Sequence, residues 1–361
     1  MSDKNLSFTV NTSSGNYPVH IKCGILSELK SHLEASKGKL SIITDENVNN
    51  LYGSVISLGL GDLSACKLIL PSGESSKSFK ALYPFYEEFI KAGLDRRSKI
   101  VAIGGGVTGD AVGFLASTYL RGIDFIQVPT TLLSMVDSSI GGKVGINHEL
   151  GKNLIGSFYP PKMVIIDPEF LVKLPDREYL SGLAECIKHA LISGDVLFKE
   201  TLKLKNGLKN KDLNILPEFI YNNLQVKKNI VEEDEKESGV RAYLNLGHTF
   251  AHALENYFNY GTLLHGEAVC LGLIAALRLS EEVLGLNQSV RTSLTDFLTY
   301  LGLPTTIQNL DINKLNDLMT RDKKTIGGKT NFVLLKAVGE PVLFSEVNEE
   351  MLGRAWASIM E

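Results

Sequence analysis

Five short apolar runs constrain what this chain can fold into more than any other feature. KLSIIT (39–44), CKLIL (66–70), KIVAIG (99–104), FIQV (125–128) and MVII (163–166) lack the clean alternation of a strand with one wet face. That is the pattern of strands buried on both sides. Helical stretches near 25–36, 46–58, 77–92 and 108–119 separate several of them, which predicts a parallel sheet flanked by helices. Ahead of these, LSFTV (6–10) and YPVHIK (17–22) flank the turn-rich SSGN and predict a hairpin.

The pattern changes near residue 172. From 177 to about 320 it is almost wholly helical: Leu180, Leu183, Ala184, Ile187 and Leu191 recur at helical spacing, as do Leu271, Ile274, Ala275 and Leu279. NFVLLKAVG (331–339) reads as a strand within this helical region. The expected architecture is an α/β, Rossmann-like nucleotide-binding domain over 1–172, followed by a mostly α-helical domain over 173–361. A length of 361 residues agrees with two domains.

Composition narrows the function classes. Apolar residues at 44 %, charged residues at 22 % and a net charge of −4 describe an ordinary globular protein. No basic excess calls for nucleic acid. No long apolar run or signal-like N-terminus is present, so neither a membrane partner nor secretion is expected. Cys23, Cys66, Cys186 and Cys270 form no CxxC pair. Their scatter argues against a disulfide framework and points to a reducing, cytoplasmic setting.

KIVAIGGGVTGDAVGFLAS places Gly104, Gly105, Gly106 and Gly109 between a strand and a helix. Glycine lets backbone approach a diphosphate, and a helix start offers free N–H groups and a positive dipole end. The register GGGxxGD matches the common dinucleotide fingerprint only in part. Asp45, Glu74, Lys77, Thr130 and Thr131 also follow predicted strands, where ligands sit in open parallel sheets.

Three of the seven histidines, His248, His252 and His265, cluster in the helical half. His248 and His252 lie one turn apart on a predicted helix, Glu255 extends their face, and His265 opens an apolar helix. Glu185 and Lys188 share another helix face. Imidazole and carboxylate donors suit zinc or cobalt, but spacing alone does not choose the ligands. Thr249 stands where a zincin carries glutamate, which disfavours a metalloprotease.

VPTTLLSMVDSSIGGKVGINHELGKNLIGSFYP gathers Asp137, Lys143, Lys152 and Asn153 among glycines, as expected of a flexible loop over an anionic ligand. Lys227, Arg241 and Asn245 precede His248, and Lys323 and Lys324 lie in a second lysine–glycine stretch.

Taken together, SGESSK (72–77), GGGVTGD (104–110), YLRGI (119–123), VPTTLLSMVDSSIGGKVGIN (128–147), GKN (151–153), GLAECIKHA (182–190), RAYLNLGHTFAHALE (241–255), LHGEAV (264–269) and RDKK (321–324) resemble the 3-dehydroquinate synthase family. The resemblance implies a lyase that turns 3-deoxy-D-arabino-heptulosonate 7-phosphate into 3-dehydroquinate and phosphate, in the shikimate pathway to aromatic amino acids. The implied route is transient oxidation by NAD, β-elimination, re-reduction, ring opening and aldol closure. It further implies a homodimer and a divalent zinc or cobalt ion on Glu185, His248 and His265. NAD would lie against Asp45, Ser72, Gly73, Glu74, Ser75, Ser76, Lys77, Gly105, Gly106, Val107, Thr108, Gly109, Asp110, Thr130, Thr131, Lys143 and Lys152. Substrate would meet Asp137, Lys143, Lys152, Asn153, Lys188, Lys227, Arg241, Asn245, His252 and one of Lys323 or Lys324, with Arg121 reaching in from the neighbouring subunit. Ala251 departs from the family's usual glycine, and a small local adjustment is expected there. Another sugar-phosphate cyclase, a polyol dehydrogenase of the same fold and a nucleotide-sensing module without turnover are the competing readings.

Overall fold

The computed structural model describes residues 5–33, 38–237, 239–259, 261–321 and 330–361. Two compact units emerge. One comprises 1–174 with 213–235, the other 175–212 with 236–361.

The first unit is built on a seven-stranded sheet. Its strands are Leu6–Thr12 (β1), Gly15–Ile21 (β2), Leu40–Asp45 (β3), Ser64–Leu70 (β4), Lys99–Gly104 (β5), Asp124–Pro129 (β6) and Met163–Ile166. The last pairs between β2 and β6, giving the spatial order β1, β2, Met163–Ile166, β6, β5, β3, β4. The β1–β2 hairpin is antiparallel, and every other pairing in the sheet is parallel. The five apolar runs are these parallel strands, and β3 and β5 are buried along almost their whole length. From β3 the chain runs outward to β4 and then returns to the other side of β3 as β5. That reversal opens a crevice at the carboxyl ends of β3 and β5, where open α/β sheets bind ligands.

Two features differ from the sequence expectation. The glycine-rich stretch after Ser139, expected as a flexible loop, is an antiparallel hairpin of Lys143–His148 and Gly151–Phe158. Its second strand is exposed along most of its length, so no in–out alternation marks it in the sequence. A single domain boundary near 172 is also not how the units divide, because the helix Leu216–Glu233 groups with the sheet. Tyr221 packs edge-on against Phe8 at 5.6 Å. Glu232 accepts from the backbone N and side chain of Asn11 at 2.7 and 2.8 Å. A periodicity argument detects that helix but not its partner.

The second unit is mainly helical. Its long helices are Asp176–Ser193, His248–Tyr257, His265–Leu284 and Gln288–Leu301. NFVLLKAVG supplies the strand Phe332–Leu335, which pairs with Pro341–Phe344. Trp356, fully buried, meets Phe250 edge-on at 4.9 Å and donates to Asn316 Oδ1 at 3.0 Å. Among the described residues no helix is long and apolar enough to cross a membrane.

Candidate active site

The glycine turn lies where the sheet topology places a ligand. β5 ends at Gly104, and the helix Gly106–Thr118 begins two residues later. A Cβ on Gly104 would fall 2.5 Å from the Thr108 side chain, so only glycine permits so short a turn. Gly105 and Gly106 face Thr131 and Ser138, which a Cβ would approach at 3.2 Å. A small pocket opens here, lined by Gly104, Gly105, Gly109, Gln127, Pro129 and Ser138. Thr130 is buried and donates its N–H to the Gly104 carbonyl at 3.0 Å.

Asp45, at the end of β3, caps the next helix by accepting from Val48 N at 3.0 Å. Its second oxygen accepts from Thr108 Oγ1 at 3.2 Å, bridging the crevice. A carboxylate offers about four lone-pair sites, so both bonds leave acceptor capacity for a ribose.

Lys77, buried, is the hub of the SGESSK segment. It pairs with Asp110 Oδ2 at 2.8 Å and donates to Asn153 Oδ1. Burial raises the Asp110 pKa, and the Lys77 ammonium works against that rise. Asn147 completes the network: it donates to Glu74 Oε1 at 2.7 Å and accepts from Asn153 N at 2.9 Å. Sequence reasoning did not single out Asn147; its place in the motif VPTTLLSMVDSSIGGKVGIN was the available signal. Ser72 N donates to Glu46, another unforeseen member, at 3.1 Å. Val107, Gly73 and Ser75 belong to the same two segments, while Ser76 is buried and donates to the Pro71 carbonyl.

Asp137 sits in a single π-helical turn, Ser134–Ser138, a feature that concentrates at functional sites. The buried Lys227 donates to its carboxylate at 2.5 Å and to its carbonyl. Sequence placed these two residues 90 positions apart without joining them. Lys143, Lys152 and Asn153 stand exposed on the hairpin. Arg121 is also exposed, and Leu120 and Arg121 both take left-handed φ values, 50° and 66°.

In the helical unit, Glu185, His248 and His265 bring donor atoms within 4.8 Å of one another. Glu185 is completely buried. Its Oε1 lies 3.4 Å from His248 Nε2 and 3.2 Å from His265 Nε2. Its other oxygen meets the buried Lys188 ammonium. The far nitrogen of each ring is also held: His248 Nδ1 lies 3.2 Å from the Leu246 carbonyl, and His265 Nδ1 lies 3.2 Å from Glu255 Oε1.

Close backbone packing assembles the trio. A Cβ on Gly266 would lie 2.0 Å from the Ser181 carbonyl, so the helix carrying His265 presses onto the helix carrying Glu185. A Cβ on Gly272 would lie 2.2 Å from the Gly247 carbonyl, just before His248.

Burial opposes ionisation of Glu185, yet Lys188 and the imidazoles hold its pKa well below the ordinary carboxylate range. Burial likewise opposes charging His265, but Glu185 and Glu255 outweigh it and raise its pKa to about 10. The proton that a charged His265 carries on Nε2, toward the ionised Glu185, occupies a place suited to a divalent cation. A buried carboxylate and two Nε2 atoms, each ring oriented from behind, make a donor set that fits zinc or cobalt.

His252 lies beside this trio, its ring 5.6 Å from that of His248, and is exposed. Arg241 is buried. Asn245 donates to Glu237 Oε1 at 3.4 Å, and Glu237 has φ 60°. Glu237 carried no sequence signal beyond an acidic run. Lys323 and Lys324 lie outside the described residues.

The chain is similar to known proteins along almost its whole length. The family model for the 3-dehydroquinate synthase N-terminal region matches residues 67–181, and that for the C-terminal region matches 182–325. A 3-dehydroquinate synthase of Bacillus pumilus is 46 % identical over 347 residues, 95 % of each chain. One of Listeria innocua is 43 % identical over 357 residues, 98 % of this chain and 97 % of its own. Among solved structures, 2-deoxy-scyllo-inosose synthase complexed with carbaglucose-6-phosphate, NAD+ and Co2+ superposes with a TM-score of 0.87. It is 26 % identical, over 98 % of this chain and 100 % of that one. ValA, a 2-epi-5-epi-valiolone synthase from Streptomyces hygroscopicus with NAD+ and Zn2+, gives a TM-score of 0.85 at 25 % identity, over 95 % and 96 % of the two chains. Maleylacetate reductase from Agrobacterium tumefaciens, 15 % identical with a TM-score of 0.68, shares the fold. By its two family matches and its near full-length relatives, the chain belongs to the 3-dehydroquinate synthase family.

Proposed function

We propose that this chain is a 3-dehydroquinate synthase, working as a cytoplasmic homodimer. It converts 3-deoxy-D-arabino-heptulosonate 7-phosphate to 3-dehydroquinate and phosphate. The observation that carries the reading is the contrast between relatives. 3-Dehydroquinate synthases match at 42–46 % identity, whereas the solved cyclases named for other products match at 25–26 %.

When bound, NAD supplies an oxidation that is reversed before product leaves, and the divalent cation supplies Lewis-acid polarisation of a substrate hydroxyl. Gly105, Gly106, Val107, Thr108 and Gly109 would hold the pyrophosphate at the helix start, and Asp45 would accept from a ribose. Glu74, Lys77 and Asp110, with Thr130 and Thr131, complete the nucleotide site. Glu185, His248 and His265 would hold the cation. Lys143, Lys152, Asn153, Lys188, Lys227 and Arg241, with one of Lys323 or Lys324, bind and orient the carboxylate and phosphate; such positioning can lower a barrier by roughly 7–11 kcal/mol at best. Asp137 orients Lys227. Asn245 and His252 hold and move protons at the ring hydroxyls. Arg121 reaches the partner subunit's phosphate site. Its strained backbone, beside an equally strained Leu120, supports a functional constraint there.

The test mixes protein with heptulosonate 7-phosphate, NAD and zinc or cobalt, and follows phosphate together with the NADH absorbance. Phosphate release without lasting NADH, abolished by a chelator, is the expected result. Stoichiometric NADH without phosphate would make the chain a dehydrogenase. Turnover of glucose 6-phosphate in its place would make it a different cyclase.

A further inference from the structure

Glu255 occupies a position that helix stability does not explain. It lies in the last turn of the helix His248–Tyr257, where the negative end of the helix dipole disfavours a carboxylate by roughly 0.3–1 kcal/mol. It is also largely buried, its side chain 12 % exposed. Its Oε1 faces His265 Nδ1 at 3.2 Å. Seven residues separate it from His248, about two helical turns, so one face of this helix presents both residues.

The two imidazoles at the site are held in parallel ways. His248 Nδ1 faces a backbone carbonyl at 3.2 Å, and both Nε2 atoms point at Glu185 Oε1. His265 stands at the first position of its own helix, so Glu255 supplies from another helix what Leu246 supplies to His248. An acceptor at Nδ1 keeps the proton there, leaves the Nε2 lone pair for a cation and fixes the ring plane.

Resting on the metal-centre reading above, we propose that Glu255 is a positioning residue of that centre, holding the His265 ring in the Nδ1–H tautomer with Nε2 directed at the cation. It touches neither cation nor substrate, and acts through His265.

The experiment titrates Co2+ into metal-free full-length protein against a competing chelator and records the Co2+ ligand-field spectrum, for wild type, Glu255→Gln and Glu255→Ala. Melting curves of the metal-free proteins run alongside. Outer-sphere partners of this kind are worth about 10–100-fold in metal affinity. Glu255→Ala is expected at the upper end of that range, with an altered spectrum. Glu255→Gln, whose carbonyl still accepts from Nδ1–H, is expected to recover part of the affinity, and both metal-free variants should melt close to wild type. Equal Co2+ affinity and identical spectra in all three proteins would overturn the proposal. So would affinity losses that simply follow a lowered melting temperature. A wild type that binds no Co2+ would overturn the metal-centre reading itself, a result distinct from equal binding by all three.

Discussion

His252 and His248 lie one helical turn apart with rings 5.6 Å apart, yet only His248 joins Glu185 and His265 with donor atoms within 4.8 Å. From spacing alone the two histidines are equivalent. What separates them is which one meets Glu185 and His265, and those two residues stand on two other helices. His252→Ala should therefore lower kcat by about 10²–10⁴-fold, the usual weight of a general acid or base, while metal content measured by atomic absorption stays at the wild-type level. Loss of metal in that variant would make His252 a ligand. Glu185 illustrates the same limit. Its sequence neighbours mark a buried helix face, but that its carboxylate meets two imidazoles more than 60 residues away is a tertiary fact. Lys77 likewise reads as a lysine after a strand, and its contacts with Asp110 and Asn153 come from separate segments.

At the scale of elements, the site depends on how closely helices approach. Gly266 presses on the Ser181 carbonyl and Gly272 on the Gly247 carbonyl. Gly266→Ala would drive a methyl into backbone that cannot rotate away, so a loss of about 1–3 kcal/mol or more is expected. A urea midpoint measures it. Weaker Co2+ binding should accompany the loss, because the same displacement separates His265 from Glu185; unchanged stability would mean that the helices part without cost. Ala251 is fully buried, and the close crossing beside it is carried by Gly247 and Gly272. The sheet strands were legible as short unbroken apolar runs, because burial on both faces removes alternation, and the long helices by their 3.6-residue period. The exposed strand Gly151–Phe158 and the π-helical turn at Asp137 were not. The first has no buried face to pattern it, and the second is a single irregular turn.

For the whole molecule, the homodimer is the next question. If Arg121 serves the partner's site, Arg121→Ala and Lys188→Ala are each inactive alone. Mixed under subunit exchange, they should recover roughly a quarter of wild-type activity, since half the dimers carry one intact site of two. No recovery, with exchange verified by mass, would place Arg121 in its own subunit's site. The sequence by itself determined the α/β and helical halves, the glycine turn between β5 and its helix, and the family, because these rest on local periodicity and contiguous motifs. Only the tertiary structure decided that Leu216–Glu233 joins the sheet unit, that Asp45 and Thr108 bridge the crevice, and that Glu255 stands behind His265. Each of those is a side-chain contact between segments distant in the chain, and no local periodicity encodes where such segments meet.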